Sequence, residues 1–153
     1  MPHLSADSRG LILVCPACSQ ANRRVYPQWD SVIRCGRCKV ELPRPAAVVD
    51  VQDPQTFSAL VAGVPCPVFV DFWAPWCGPC RSVAPEIERL AGLMGDQALI
   101  VKVDTEAVPE VATAHRIQSI PTFVVFRGGS EVARTSGAMS ASRLKKFIDQ
   151  TAR

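Results

Sequence analysis

From residue 46 onward the chain alternates short apolar runs with stretches in which apolar residues recur every three to four positions. Val48-Val49-Asp50-Val51 reads as a short strand. Asp53 followed by Pro54 reads as an N-cap with proline at the first helical position, opening a short helix over residues 54–62. Residues 68–73 are almost continuously apolar, the pattern of a central strand buried on both faces. A helix is predicted over residues 77–94, with Pro85 kinking it, and a second buried strand over 99–103. Residues 109–115 read as a helix and 122–126 as a strand, and Gly128-Gly129 closes a hairpin into a strand over 131–135. A terminal helix over residues 140–152 carries Leu144, Phe147 and Ile148 on one face. The order βαβαβαββα specifies an α/β fold, a mixed central sheet flanked by helices.

The first 45 residues follow another pattern. Their apolar stretches are brief, Leu11-Ile12-Leu13-Val14 and Val32-Ile33. Charge separates the two parts as well. Residues 9–45 hold Arg9, Arg23, Arg24, Arg34, Arg37, Lys39 and Arg44 against Asp30 and Glu41, a net of +5, whereas residues 46–153 sum to −1. Pro43-Arg44-Pro45 disfavours helix at the boundary and reads as a short stiff linker. The expected organisation is therefore a small unit over 1–45 and an α/β domain over 46–153. A chain of 153 residues with 48% apolar content can bury one core with a small satellite, which excludes wholesale disorder. No apolar run approaches the roughly 18–20 residues of a membrane helix, so no membrane association is expected. The polar start of the chain, and an apolar stretch shorter than the roughly 7–15 residues of a signal core, predict a cytoplasmic protein and weigh against a lipid anchor at Cys15.

In a reducing compartment, paired cysteines are metal ligands or redox catalysts rather than permanent staples. Six of the seven cysteines form three Cys-x-x-Cys pairs. Cys15/Cys18 and Cys35/Cys38 are separated by sixteen residues, a spacing that brings four thiolates to the corners of a tetrahedron. Zn²⁺ suits soft tetrahedral ligands and has no redox chemistry of its own. About 35 residues cannot build an adequate core, so one structural zinc per chain would supply much of the folding energy of a four-cysteine zinc ribbon. Two disulfides are the alternative, against which the reducing compartment argues. Arg23-Arg24 with Tyr26 and Trp29 could form a weak basic-aromatic surface for nucleic acid. A solvated surface, with the aromatics covering the small unit, is the reading preferred, and no nucleic-acid partner is expected.

The third pair, Cys77-Gly78-Pro79-Cys80, lies between a buried strand and the long helix. A cysteine at a helix start meets unpaired backbone N–H groups and the positive end of the helix dipole, so Cys77 should form a thiolate readily. Cys80 lies almost one turn further in, near enough to close a ring with Cys77. The chemistry that follows is thiol–disulfide exchange: Cys77 attacks a substrate disulfide as nucleophile, and Cys80 resolves the mixed disulfide. A third metal half-site is the competing reading. It lacks a fourth pair, and neither His3 nor His115 stands at ligand spacing.

The segment Asp71-Phe72-Trp73-Ala74-Pro75-Trp76-Cys77-Gly78-Pro79-Cys80, with Pro85 and the later Ile120-Pro121-Thr122, resembles the thioredoxin family in register over roughly residues 48–153. With the ribbon in front, the whole chain is similar to the second, zinc-containing type of bacterial thioredoxin. The resemblance implies that Asp71 is a buried carboxylate exchanging a proton with Cys80, a wet strand end being the other reading. It implies that Lys102 is the lysine near that carboxylate, with an exposed strand lysine as the alternative. It implies that Pro121 is a cis proline and that Trp76, Ile120, Pro121 and Gly137 form a shallow platform for an extended substrate segment. Trp73 should pack beneath the site. Ser119 departs from the glycine that relatives often carry there. Cys66, before Pro67, reads as a small buried residue or as a regulatory thiol.

The function expected is that of a protein-disulfide reductase. No dinucleotide fingerprint is present, so no bound organic cofactor is expected and electrons must come from a separate donor. The resemblance implies a monomer fed by an NADPH-dependent thioredoxin reductase, with protein disulfides as substrates and ribonucleotide reductase, peroxide-handling enzymes and methionine sulfoxide reductases as clients. A disulfide oxidase or isomerase would favour an exported chain and other residues between the cysteines. A redox-sensing or partner-binding ribbon with secondary dithiol activity is the alternative from a different class.

Overall fold

The computed structural model describes residues 3–151. Its strands are β1 (Leu4–Ala6), β2 (Gly10–Val14), β3 (Ala21–Val25), β4 (Ile33–Arg34), β5 (Glu41–Leu42), β6 (Val48–Val51), β7 (Val68–Trp73), β8 (Leu99–Asp104), β9 (Thr122–Arg127) and β10 (Ser130–Ser136). The helices are α1 (Pro54–Gly63), α2 (Gly78–Met94), α3 (Pro109–Ala114) and α4 (Ala141–Thr151). From β6 onward the order is the βαβαβαββα of the sequence pattern, with ends shifted by a residue or two. Ala152, to which the terminal helix was expected to run, lies outside the described residues.

Local chemistry accounts for these elements. Asp53 caps α1, its carboxylate accepting from the Thr56 N–H at 2.8 Å while Pro54 occupies the first turn. Alternation along β7 sends Val68, Val70 and Phe72 to one face, and Phe69 and Asp71 to the other. On the Phe69 face, α2 and α4 cover Val48, Ile100, Phe123 and Val125 with Ile87, Leu90, Leu144 and Ile148. On the opposite face, Phe57 and Leu60 of α1 join Val49, Val51, Val70 and Val101. Pro85 sits inside α2 and denies the Arg81 carbonyl an N–H, yet the helix continues to Met94.

The first part of the chain is built into the main sheet. β1 lies parallel to β6, with Leu4 opposite Val49 and Ser5 opposite Asp50, and β2 and β3 follow antiparallel. One eight-stranded sheet results, in the order β10-β9-β7-β8-β6-β1-β2-β3, beside the small β4-β5 hairpin. Leu11, Leu13, Tyr26 and Trp29 share the core that contains Phe57 and Leu60. Gly63 permits this contact, since a Cβ there would stand 2.7 Å from the Tyr26 Cβ. The Pro43-Arg44-Pro45 segment runs from β5 to β6, with the Arg44 guanidinium bridging Asp30 and Asp96, each at 2.9 Å.

Arg24 corrects the basic-aromatic surface considered above. It is only 2% exposed, and its guanidinium donates to the carbonyls of Trp29 at 2.8 Å, Ser31 at 3.0 Å and Leu42 at 2.9 Å. Tyr26 and Trp29 are buried as well. The planar fork of Arg24 thus ties β3 to the loop before β4 and to β5. An ammonium cannot satisfy three carbonyls arranged for a fork. Arg24→Lys should therefore cost about 2–3 kcal/mol despite keeping the charge. A denaturant unfolding midpoint equal to that of the parent would contradict this account.

Candidate active site and metal centre

β7 emerges from the middle of the sheet, and the chain turns through Ala74, Pro75 and Trp76 into α2. The Cys77 N–H donates to the Ala74 carbonyl at 3.2 Å. Cys77 is the N-cap of α2, with extended backbone, and its sulfur accepts from the Cys80 N–H at 3.2 Å. That sulfur therefore faces N–H groups with no partner inside the helix, at the positive end of its dipole. Pro79 lacks an N–H, which costs nothing in a first turn. Cys77 and Cys80 are joined as a disulfide, with Cα atoms 5.2 Å apart. Their burial differs less than the sequence suggests, at 4% and 2% exposure, because Ala74, Trp73 and Ile120 pack around both.

Asp71 lies on β7 beneath this turn. It is 1% exposed, and neither carboxylate oxygen has a hydrogen-bond partner among the described residues. Burial raises its pKa to about 7, against the opposing pull of Lys102. Lys102, its neighbour on β8, is also buried, and its ammonium sits 4.3 Å from the centre of the Trp73 ring. Trp73 is half-buried and packs below the dithiol.

The other side of the dithiol is formed by the loop before β9. The Ile120–Pro121 peptide is cis, and the Cys77 sulfur lies 3.8 Å from the Ile120 carbonyl oxygen. Gly137, at a positive φ of 92°, donates its N–H to the Pro121 carbonyl at 3.0 Å. Ile120 lines a surface depression with Trp76, which is 62% exposed. Trp76 is steadied by a residue the sequence reading missed: its indole N–H donates to Glu106 at 2.6 Å. Only the topology could reveal that pair, because the loop after β8 meets the β7–α2 turn across the sheet. Cys66 is half-buried beside the core shared with the first part of the chain, and burial pushes its thiol up.

The other four paired cysteines converge elsewhere. Their sulfurs all lie within 4.8 Å of one another, with Cys15 and Cys38 at 3.6 Å and Cys18 and Cys35 at 3.5 Å. A tetrahedral zinc with Zn–S bonds of about 2.3 Å sets sulfurs about 3.8 Å apart, so this donor set fits the metal. The two turns repeat each other. The N–H of Ser19 returns to the Cys15 carbonyl and that of Lys39 to the Cys35 carbonyl, with both residues at positive φ. The N–H groups of Cys38 and Arg37, with the Asn22 amide, bring Cys35 down to about 6. Although the Gln20 N–H favours the Cys18 thiolate, burial and the neighbouring thiols push Cys18 up to about 12. Four sulfurs this close cannot all be charged unless a cation offsets them.

The two cysteine centres occupy opposite ends of the sheet. Strand pairing places Ile12 level with Ser5, Asp50, Lys102 and Asp71, and β2 then runs away from the dithiol end towards Cys15. Four strand spacings also intervene between β7 and β2, about 19 Å.

The thioredoxin family model matches residues 47–150. The chain is 35% identical over 140 residues to Thioredoxin C-3 of Corynebacterium nephridii, covering 92% of this chain and 94% of that protein. It is 44% identical over 105 residues to Thioredoxin 1 of Synechococcus elongatus, covering 69% of this chain and 94% of the relative. A solved structure of Plasmodium falciparum thioredoxin superposes with a TM-score of 0.61 at 36% identity, over 66% of this chain and 96% of its own. The Corynebacterium likeness extends beyond the family-model span into the strands that precede β6.

Asp71 also makes stability depend on pH. Its carboxyl is ordinarily near 3.8 and is held near 7 in the fold, so between these values the folded state keeps a proton that the unfolded chain has lost. Stability should fall as pH rises through roughly 4–7 and level off above. Asp71→Ala should remove this slope and raise stability at pH 8 by about 4 kcal/mol less the cost of the packing it gives up. Unfolding free energies measured across pH check this, and a variant with the parent's slope would refute the assignment.

Proposed function

The chain belongs to the thioredoxin family, a family of disulfide reductases, and we propose that it reduces protein disulfides in the cytoplasm by cycling Cys77 and Cys80 between dithiol and disulfide. The observation that carries this reading is the disulfide at the start of α2, whose Cys77 sulfur caps the helix by accepting the Cys80 N–H, in line with the buried Asp71 of β7.

In the reduced protein the Cys77 thiolate attacks one sulfur of a substrate disulfide. A Cys77–substrate disulfide forms, and the first substrate thiolate leaves. Cys80 then passes its proton to Asp71, and the resulting thiolate attacks the Cys77 sulfur. The Cys77–Cys80 bond forms, the second substrate thiolate departs, and the substrate has gained two electrons. Lys102 tempers the charge on Asp71, and Gly78 and Pro79 shape the turn that holds the two sulfurs together. Trp76, Ile120, Pro121 and Gly137 receive the extended substrate segment. An NADPH-dependent thioredoxin reductase restores the dithiol, so no bound organic cofactor is needed. The protein acts as a monomer, with no membrane or nucleic acid among its partners.

Residues 1–45 form a zinc ribbon in this reading and residues 46–153 the redox domain. Cys15, Cys18, Cys35 and Cys38 would hold one zinc, whose role is structural because four thiolates leave no open coordination position. Redox sensing by this centre, through oxidation of the thiolates and loss of the metal, is kept as an added role; the proximity of its four sulfurs is what favours it.

Incubation with insulin and a reductase-coupled supply of NADPH tests the assignment. Cys80→Ser should accumulate a mixed disulfide with substrate, whereas Cys77→Ser should neither trap nor reduce. Equal trapping by both variants would overturn the two roles. Metal analysis should find about one zinc per chain, with Cys15, Cys18, Cys35 and Cys38 protected from alkylation until a chelator removes it. Metal-free protein with four reactive thiols would refute the ribbon.

A further inference from the structure

One row of side chains crosses the sheet from the first part of the chain to the buried carboxylate. Ser5 of β1 stands opposite Asp50 of β6, Asp50 opposite Lys102 of β8, and Lys102 opposite Asp71 of β7. Paired positions share a face, here the one covered by α2. Asp50 and Asp71 are two strand spacings apart, about 10 Å, with the lysine between them.

Lys102 is held loosely for a buried cation. Among the described residues it makes no direct ion pair, and its ammonium rests on the Trp73 ring. A cavity of about 370 Å³ lies over it, lined also by Asp50, Trp73 and Asp104. Asp71 feels the Lys102 charge from within the sheet, and Asp50 and Asp104 line the cavity on its other side.

Asp50 is in turn held by His3. One ring nitrogen lies 2.8 Å from an Asp50 oxygen, and the other is hydrogen-bonded to Glu88 of α2. Carboxylates only accept, so a ring bonded to two of them must carry both protons. Burial opposes that charge, but Glu88 and Asp50 outweigh it and raise His3 above its ordinary range. His3 thereby offsets part of the Asp50 charge and weakens the pull of Asp50 on Lys102.

We propose that His3 and Asp50 are positioning residues of the reductase, setting through Lys102 how readily Asp71 takes the proton of Cys80. This rests on the proton-exchange role proposed for Asp71. The groups that bear on the row are Lys102 and the two active cysteines around Asp71, Asp104 in the lining of the cavity, and Glu88 beside His3. If His3 is lost, Asp50 keeps an unmatched negative charge, draws Lys102 outward, and makes Asp71 hold its proton to higher pH. If Asp50 is lost, Lys102 turns wholly to Asp71, which then gives up its proton at lower pH. The two changes act in opposite directions, and a simple loosening of β1 cannot produce that pattern.

The test uses the full reduced chain, with the Asp71 carboxyl titrated by NMR and the pH profile of insulin reduction measured beside it. His3→Gln should move the midpoint up, and Asp50→Asn should move it down, each by about 0.5–1 pH unit for a charge at that separation. The double variant should return close to the parent. Shifts in the same direction, or none in either variant, would overturn the inference. Asp71→Ala separates this result from the broader reading. If it leaves the activity profile unchanged, the proton-exchange role of Asp71 itself fails. If it abolishes the inflection while the His3 and Asp50 variants leave the Asp71 titration unmoved, only the positioning role fails.

Discussion

The arrangement depends on what the first turn of α2 does with its unpaired N–H groups. A helix cannot satisfy these donors internally, and here a sulfur fills the place that a serine or aspartate oxygen commonly takes. Cys77 occupies the N-cap and accepts from the Cys80 N–H. The cap is therefore also the atom proposed to react, and the group that completes the helix is one whose negative form the helix favours. β7 makes this possible by delivering the turn from the centre of the sheet, where packing on both faces leaves it little freedom to move. Asp71 adds a second demand. A carboxyl buried without a hydrogen-bond partner strongly prefers its proton, and that preference ties its charge to the state of the nearby sulfurs.

The extent to which this could be read from the chain follows from the range of the forces involved. Asp53-Pro54, the apolar run of β7 and the Cys-x-x-Cys turn are encoded locally, by capping, periodicity and backbone restriction, and they stand where the pattern places them. The cysteine spacing likewise foretold the convergence of four sulfurs. Pairings between distant segments left no local mark. β1 is three residues long, too short to show a period, and its place beside β6 depends on what that edge offers. Arg24 looked like a surface charge because burial of a guanidinium requires carbonyls from three other segments, which the fold supplies. The Trp76–Glu106 and His3–Glu88 contacts were hidden for the same reason.

The ribbon extends the sheet at the edge of β6 and fills out the core beneath α1, yet its cysteines point away from the dithiol end. Sulfur of one centre cannot reach sulfur of the other within a single molecule, which keeps the four-cysteine cluster apart from the Cys77–Cys80 disulfide. The side chains that do lead from the first part of the chain towards the dithiol end are charged. They run through His3, Asp50 and Lys102 to Asp71, the row along which the proposed influence of charge on Asp71 acts.

The claim on which this account stands is that the start of α2 keeps the Cys77 sulfur ready as an anion. Alkylation of the fully reduced protein by iodoacetamide, followed across pH with the modified residue identified by mass spectrometry, measures this directly. Cys77 should react first, with a rate whose midpoint lies clearly below the roughly 8.5 of an unperturbed thiol. A midpoint at or above that value, or preferential modification of Cys80, would contradict it.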